Sequence, residues 1–324
     1  MKLLTLIAWA MSTEWAVTER MLRILCAVLA ERAAGHRPDA AEIAARLEGH
    51  RAEPRAAVLT IPARAAAAGA AQPPGRAIRV IGLHGTIGPR AEQFADVSQS
   101  GTGLDRFRAR VAEAVADPQI GTIVLDVDSP GGSVAGVPET ASFIREHAKR
   151  KPIVAVANTL AASAAYWIAA QATELYASPS AEVGSIGVFT IHEDLSAALE
   201  MKGISPTVVS AGEFKAELAP FGPLSAEARA ELQRRVDRTH DDFLADVARG
   251  RQVPKARVKS DFGRGRLVPA DEAQASGMVD QVATLDQVVA DLQAPRRRLG
   301  RRAAADPDAR PRAGEARRRR LALS

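Results

Sequence analysis

Apolar runs and amphipathic stretches alternate along the chain from residue 77 onward. Runs with the length and β-branched content of buried strands cover residues 77–85, 120–130, 152–158, 185–191 and 206–212. Between and after them, apolar residues recur at helical spacing, which predicts helices over residues 104–116, 137–150, 161–172, 195–202 and 225–249. Buried strands that alternate with helices predict a layered α/β domain with largely parallel strand pairing.

The segments on either side of this domain differ from it in hydrophobic pattern and composition. Residues 1–48 carry helical patterning, and within them the stretch 14–48 predicts two short helices. Residues 49–76 are rich in Ala, Arg and Pro and lack a lasting period, which predicts a linker. The α/β domain then occupies residues 77–294, and an Arg-rich tail over residues 295–324 is predicted to be disordered.

The composition narrows the class of protein. With 47% hydrophobic and 25% charged residues among 324, the chain can build the core of an ordinary soluble protein. Only 4% of the residues are aromatic, so the core must be aliphatic and rich in Ala. The single cysteine, Cys26, excludes an internal disulfide framework and a cysteine-based zinc cluster.

The net charge of +5 belongs to the tail rather than to a folded face. Residues 295–324 contain eleven Arg against three acidic residues, so the rest of the chain is slightly acidic. Such a tail can contact nucleic acid or an acidic protein electrostatically, and a solvated extension without a partner is the alternative.

The first residues leave two interpretations open. Lys2 precedes a short apolar run, and Ala8, Trp9 and Ala10 resemble a cleavage site for a secretory signal. The run is too short to span a membrane, and an amphipathic pattern follows at once, as in a helix that packs against its own protein. We therefore expect no stable membrane span and a cytoplasmic protein, with secretion as the alternative.

Two motifs supply a candidate nucleophile and backbone amides that can stabilise a negative charge. Ser163 begins a predicted helix in an Ala-rich stretch, so its hydroxyl and the amide of Ala164 lie at the positive end of the helix dipole. Gly131 and Gly132 follow a buried strand, and without side chains their amides can approach a scissile carbonyl. The extended segment that continues to Ser133 can pair with a substrate backbone as an added strand.

Lys215 is a candidate base for this serine. A serine hydroxyl is a poor nucleophile until a base takes its proton, and a lysine can act as that base only when it is neutral. With an ordinary pKa near 10.4, roughly one lysine in 2,500 is neutral at pH 7, so a catalytic lysine must be buried among apolar groups. Phe214, Leu218 and Phe221 surround Lys215 in sequence and can provide that burial.

The motifs together resemble the signal-peptide-peptidase-A family of serine proteases, and more closely its phage and prophage members that act as capsid maturation proteases. The resemblance rests on the segments DSPGGS, LAASAAYWIA, VGSIGV and SAGEFKAE followed by PFGPLS. It implies Ser163 as nucleophile, Lys215 as general base, Ser185 as a hydrogen-bonding support for the base, and the amides of Gly132 and Ala164 as oxyanion donors. It also implies the Clp-protease/crotonase fold with repeated ββα units, and assembly into a homo-oligomeric ring.

Other residues suggest alternative chemistries. His192 follows Ser163 at a distance that permits a Ser-His-Asp triad, but Glu193 and Asp194 come next and favour an exposed helix cap. Asp126 and Asp128 alternate along a strand and suggest a metal, although a structural role is expected. The chain has no Walker sequence and no complete nucleotide-binding glycine motif, so we expect neither a cofactor nor a metal.

Three functions remain open. The leading hypothesis is a phage-type head maturation protease that cuts scaffold or capsid proteins, in the cytoplasm of a bacterial host or within the procapsid. The second is a cellular peptidase that degrades cleaved signal peptides at the membrane. The third is a catalytically silent assembly protein of the same fold. Self-processing within residues 62–76 or just before the Arg-rich tail is a further hypothesis.

Overall fold

The computed structural model of the chain describes residues 14–18, 58–61, 77–90 and 101–294. The strands are β1 (Trp15–Val17), β2 (Val58–Ile61), β3 (Ala77–His84), β4 (Thr86–Gly88), β5 (Gly101–Gly103), β6 (Ile120–Ser129), β7 (Gly131–Ser133), β8 (Ile153–Ala162), β9 (Glu174–Ala177), β10 (Glu182–Gly184), β11 (Leu267–Pro269) and β12 (Gln281–Val282). The helices are α1 (Leu104–Ala116), α2 (Val137–Ala148), α3 (Ala164–Ala169), α4 (Ser196–Met201), α5 (Ala226–Arg251), α6 (Lys255–Asp261), α7 (Ala270–Ser276) and α8 (Leu285–Gln293).

The larger of two sheets forms the centre of the fold. Its strands follow the order β11-β10-β8-β6-β3-β2, with β9 also paired to β8 and β12 paired to β9. The central strands β3, β6 and β8 are parallel to one another, whereas β2 and β11 join the two edges antiparallel. Residues of α1, α2, α3 and α5 form the main apolar core against one face, and α8 covers part of the other face. The predicted layered α/β architecture with largely parallel pairing is confirmed.

The smaller sheet extends from the carboxyl ends of these strands. Its order is β1-β7-β4-β5, and β4 and β7 follow β3 and β6 of the larger sheet almost immediately in sequence. Gly85, with a φ of +66°, makes the bend between β3 and β4. Strand, strand and helix therefore follow one another as a unit in β6, β7 and α2, as expected for ββα repeats.

The helix α3 lies inside the core, since all six of its residues are buried. The indole of Trp167 stacks on Phe243 of α5, with ring centroids 4.2 Å apart and an interplanar angle of 8°. The hydroxyl of Tyr166 donates to the carbonyl of Met278 at 2.9 Å. The alanines of α3 leave room for this close packing, which agrees with the aliphatic, Ala-rich core that the composition predicts.

Two of the five strands predicted from apolar runs are wrong. Residues 185–191 contain an isolated bridge at Phe189 instead of a strand, and residues 206–212 form no regular element. The second run is exposed along its whole length, so its β-branched residues have no neighbouring strand to pair with. The sheet is instead extended by β9 and β10, which the pattern did not indicate.

The N-terminal predictions need correction where the structure describes this part of the chain. Within the predicted helical stretch 14–48, Trp15–Val17 is a strand, because its backbone pairs with β7 far along the sequence. Within the predicted linker 49–76, Val58–Ile61 is a strand that pairs antiparallel with β3. The remaining residues of both segments lie outside the described ranges, as do residues 1–13 with the suggested signal, Cys26 and the Arg-rich tail. Among the helices described, none combines the length and the apolar character that crossing a membrane requires.

Candidate active site

Ser163 occupies a strained turn between β8 and α3. Its backbone has a φ of 55° and a ψ of −117°, a region that residues other than glycine rarely adopt. The amide of Ser163 donates to the carbonyl of Gly184 at 2.7 Å, and its carbonyl accepts from the amide of Trp167 at 2.9 Å. The Ser163 side chain is buried, and its Oγ has no hydrogen-bond partner among the described residues. An unpaired hydroxyl on a strained strand-to-helix turn is typical of a nucleophile.

Gly131 lies directly against this serine. A Cβ atom placed on Gly131 would be 3.0 Å from the Cβ of Ser163 and 3.0 Å from the carbonyl oxygen of Ala162, and the φ of Gly131 is +94°. The amide of Gly131 donates to the Oγ of Ser129 at 3.1 Å, and the Ser129 hydroxyl donates to the carbonyl of Gly85 at 2.6 Å. Glycine is therefore required here by both space and conformation, and Ser129 fixes the turn.

Gly132 and Ser133 continue from this turn into β7. Gly132 pairs with Ile87 of β4 on one side and with Ala16 of β1 on the other. A Cβ on Gly132 would be 1.9 Å from the carbonyl oxygen of Ile87, so no side chain fits. The Oγ of Ser133 is buried and accepts from the amide of Ala135 at 3.3 Å. The two glycines thus bring a backbone edge next to Ser163, while Ala164 follows the serine as the first residue of α3.

Ser185 also lies next to the nucleophile. It follows Gly184, whose carbonyl accepts from the amide of Ser163, and its own amide donates to the carbonyl of Arg266 at 2.8 Å. The φ of Ser185 is 52°, a second left-handed residue other than glycine at this site. The structure therefore brings together Ser163, Ser185 and the two glycines that the sequence singled out.

Lys215 is not part of this group in the single chain. It lies in a series of turns, is exposed, and has no side-chain hydrogen bond or ion pair among the described residues. The apolar residues expected to shield it are also open to solvent, with exposed fractions of 49% for Phe214, 38% for Leu218 and 43% for Phe221. The segment that carries Lys215 is too exposed in the single chain to exclude water from the amine of Lys215.

The rival base is likewise separate from the serine. The Nε2 of His192 lies 3.1 Å from the carbonyl of Gly222, and no hydrogen bond joins it to Ser163. His84 pairs instead with Asp126, at 3.1 Å between Nε2 and Oδ2.

The aspartates that suggested a metal have protein partners. Asp126 accepts from His84 and from Nδ2 of Asn158, and Asp128 accepts from the hydroxyl of Thr159. No group of three or more His, Cys, Asp or Glu residues in residues 14–18, 58–61, 77–90 and 101–294 is arranged to hold a metal ion.

Sequence reasoning missed three parts of the site. The hydroxyl of Ser129, the carbonyl of Arg266 and the strand Trp15–Val17 all contact the site residues. Ser129 lies in the segment DSPGGS but had no predicted role, and the other two belong to no recognisable motif. The only signal for Ser129 was its place beside the Gly-Gly pair in the strand-to-turn segment.

A serine at a strained strand-to-helix turn, beside a glycine edge in a layered α/β domain, defines a class of site: one whose geometry suits nucleophilic catalysis by a serine. Comparison with known proteins agrees with this class. Residues 145–298 match the family model described as peptidase family S49. The predicted resemblance to the signal-peptide-peptidase-A type of serine proteases, and the predicted fold class, are confirmed.

Three relatives show the range of this similarity. The chain is 34% identical over 171 residues to capsid assembly protease C of Escherichia phage lambda, which covers 53% of this chain and 39% of that protein. It is 34% identical over 171 residues to the head-tail preconnector protein of Enterobacteria phage P21, covering 53% of this chain and 34% of that protein. It is 31% identical over 217 residues to protease 4 of Salmonella typhi, covering 67% of this chain and 34% of that protein. The chain thus spans less than two fifths of the length of each of these relatives.

Among solved structures, a membrane-bound stomatin-specific protease aligns with 65% of this chain and 82% of its own, at 13% identity and a TM-score of 0.40.

Proposed function

We propose that this chain is a serine endopeptidase in which Ser163 is the nucleophile and Lys215 the general base. The observation that carries the proposal is the strained, unpaired Ser163 with Gly131 pressed against it. A left-handed serine costs about 1–3 kcal/mol of strain, a cost that persists in proteins chiefly where a functional site needs the geometry. The match to peptidase family S49 includes Ser163, Ser185 and Lys215 in its range.

The proposed reaction proceeds by acyl transfer. The Ser163 Oγ attacks the scissile carbonyl carbon while its proton passes to the neutral amine of Lys215. The carbonyl oxygen becomes an oxyanion, which accepts hydrogen bonds from the amides of Gly132 and Ala164. The C–N bond then breaks as the lysine returns the proton to the leaving amine. Water, activated by the same amine, hydrolyses the ester and releases Ser163.

The lysine in this proposal comes from a second copy of the chain. In the single chain Lys215 is exposed while Ser163 is buried, so the pair needs an approach from outside. Large apolar side chains of the sequence segment that carries Lys215 are also exposed: Ile191, Met201, Ile204, Val208, Val209, Phe214, Leu218 and Phe221. A monomer rarely leaves so many exposed together, and a neighbouring copy in a ring would bury both them and the amine. Ser185, beside Ser163, would then meet the incoming lysine.

The proposed substrates are scaffold or capsid proteins during head maturation, in the cytoplasm of a bacterial host or within the procapsid. Two relatives carry phage assembly names, a capsid assembly protease and a head-tail preconnector protein, which supports this choice. Degradation of signal peptides at a membrane is the competing activity, because other relatives include a signal peptide peptidase. The Arg-rich tail, residues 295–324, would contact nucleic acid or acidic protein near the substrate.

Subunit mixing tests the assignment and the shared site together. We expect Ser163→Ala and Lys215→Ala each to abolish cleavage of a scaffold protein, while Lys149→Ala, which removes another exposed lysine, retains it. A mixture of equal amounts of the two inactive chains should regain about a quarter of the wild-type activity, since about a quarter of the interfaces in a random ring pair an intact serine with an intact lysine. Full activity of Lys215→Ala would reject the lysine, and inactivity of the mixture would reject the second copy as its source.

A further inference from the structure

The strand β1 occupies the backbone edge at which a substrate is expected to bind. Trp15–Val17 runs antiparallel to β7, with Trp15 opposite Ser133, Ala16 opposite Gly132 and Val17 opposite Gly131. An extended peptide that adds a strand to an exposed sheet edge, held by main-chain hydrogen bonds, is a recurring mode of peptide recognition. Here the added strand belongs to the chain itself.

The strand β1 is the edge strand of the smaller sheet, and an isolated bridge to Phe189 on its other side places it in a groove. Towards β7, the amide of Val134 donates to the carbonyl of Glu14 at 3.0 Å and the amide of Thr18 donates to the carbonyl of Pro130 at 3.0 Å. On the opposite edge, Trp15 and Phe189 exchange two hydrogen bonds, of 2.9 Å from the Trp15 amide and 3.1 Å from the Phe189 amide. Phe189 follows Ser185 in the loop beside the nucleophile, so the groove is bounded by two elements of the candidate site.

The register places the Ala16 carbonyl at the proposed oxyanion donor. In an antiparallel pair, hydrogen-bonded and non-bonded residue pairs alternate. Because the pairs of Glu14 and Thr18 with β7 are bonded, Ala16 and Gly132 form the bonded pair between them. The amide of Gly132 therefore points at the carbonyl of Ala16, as it would at the carbonyl of a substrate.

The same carbonyl lies close to the nucleophile. A Cβ placed on Gly131 would be 2.1 Å from the carbonyl oxygen of Ala16 and 3.0 Å from the Cβ of Ser163, so both atoms border one small space. Ser163 has no exposed surface, and its hydroxyl is unpaired. A substrate cannot reach this serine while β1 is in place.

The strand is also anchored and covered. The carboxylate of Glu14 accepts from the hydroxyl of Thr239 at 2.5 Å and lies 3.3 Å from Nε of Arg235, both on α5. Trp15, Ala16 and Val17 are almost completely buried, and Ala16 belongs to the main core. At Ala16 the groove therefore has space for a methyl group and for little more.

We propose that residues 14–18 fill the peptide groove of Ser163 as an intramolecular ligand, so that substrate binds only after displacing them. This inference rests on the proposed function and refines its substrate class. The substrate is an extended peptide with a small residue, such as alanine, at the position whose carbonyl faces Gly132. A competing segment lowers the apparent affinity for substrate by the fraction of time that it leaves the groove.

A peptide-binding assay tests whether residues 14–18 occupy the groove, and it does not depend on catalysis by Ser163. In a Ser163→Ala background, a fluorescent peptide of residues 12–20 is titrated against the full chain, Ala16→Pro and Glu14→Ala. Proline removes the amide that pairs with Gly132, and Glu14→Ala removes the anchor on α5 but leaves the strand intact. We expect binding about tenfold tighter for Ala16→Pro and a smaller gain for Glu14→Ala. The matched control is Thr60→Pro, a proline in the edge strand β2, which should bind the peptide as weakly as the unsubstituted chain.

Equal peptide affinity in all four proteins would overturn the proposal, and Glu14→Ala decides it if Ala16→Pro fails to fold. A second peptide carrying A16W should not bind to any of them, and tight binding of that peptide would reject the small-residue requirement. Labelling by a fluorophosphonate, in chains that retain Ser163, separates the occupancy of the groove by residues 14–18 from the assignment of Ser163 as nucleophile. Faster labelling of Ala16→Pro than of wild type supports both, whereas the binding result without labelling of any chain supports the groove and rejects Ser163 as nucleophile.

Discussion

The indole Nε1 of Trp167 donates a hydrogen bond of 2.9 Å to Oδ2 of Asp246, in a region where both residues are buried. Trp167 lies one turn after Ser163 on α3, and Asp246 lies on α5. The same carboxylate accepts from Arg145 of α2 and Arg249 of α5, at 3.2 Å and 2.6 Å. The buried carboxylate of Asp246 thus links α3, the helix that follows Ser163, to α2 and α5.

Replacing this acid should destabilise the protein severely. Asp246→Ala removes a buried charge that satisfies an indole and two guanidinium groups, and we expect a loss of about 3–5 kcal/mol in the free energy of unfolding. Asp246→Asn keeps one acceptor oxygen and should lose less. Urea unfolding followed by tryptophan fluorescence measures both, and equal losses would show that the charge of Asp246, rather than its remaining acceptor oxygen, accounts for the stabilisation.

A methyl group at Gly131 should damage both stability and the site. Gly131→Ala places a Cβ 2.1 Å from the backbone oxygen of Ala16 in a conformation with a φ of +94°, so we expect a cost of about 2–4 kcal/mol. Gly203→Ala is the matched control, because Gly203 has a φ of +68° but no atom within 4 Å of the added Cβ. Thermal unfolding of the two variants separates the clash from the conformational strain, and equal shifts would contradict the predicted clash.

Ser129 should act as a positioning residue for the glycine turn. Ser129→Ala removes the acceptor of the Gly131 amide and the donor to the Gly85 carbonyl. We expect kcat to fall about tenfold or more with little change in KM, because misplaced amides weaken the stabilisation of the oxyanion but not the binding of the peptide. Ser129→Thr should restore part of kcat. Ser260→Ala, which removes an exposed hydroxyl far along the chain, should leave both constants unchanged.

Stability should decline in mild acid through His240. Burial, with a smaller contribution from the positive charge of Lys259, lowers the pKa of His240 below its ordinary value of 6.5. As the pH falls from about 7, the unfolded chain takes up this proton before the folded chain does, so the free energy of unfolding decreases. Urea midpoints at pH 7.5 and pH 5.5 should differ less in His240→Gln than in wild type. An identical pH dependence of the two proteins would reject this contribution.

The sequence was sufficient to predict those parts of the site that lie on continuous motifs. Ser163 and the Gly131–Gly132 pair each follow a long apolar run, and a run of that kind reliably ends where a parallel strand reaches the edge of its sheet. Ser185 was found through the resemblance alone, since the apolar run around it predicted a strand that does not form.

The sequence was insufficient where position depends on distant pairing. A three-residue strand such as Trp15–Val17 has no period of its own, and the amphipathic residues after it favoured a helix. The Val208–Val209 run has strand composition but no neighbouring strand in the fold. The distance between Lys215 and Ser163 depends on the assembly proposed here, which a single chain does not specify.

The pairing of Trp15 with Phe189 also has a consequence for biosynthesis. The partners of β1 leave the ribosome more than a hundred residues after β1 itself, so this contact has a far higher contact order than the successive pairing of β3, β6 and β8. The β1 segment must wait unpaired while the parallel sheet forms from residues that follow it in sequence. We therefore expect its docking to be a late, separable folding step, visible as a slow burial of Trp15 after the rest of the domain has become compact.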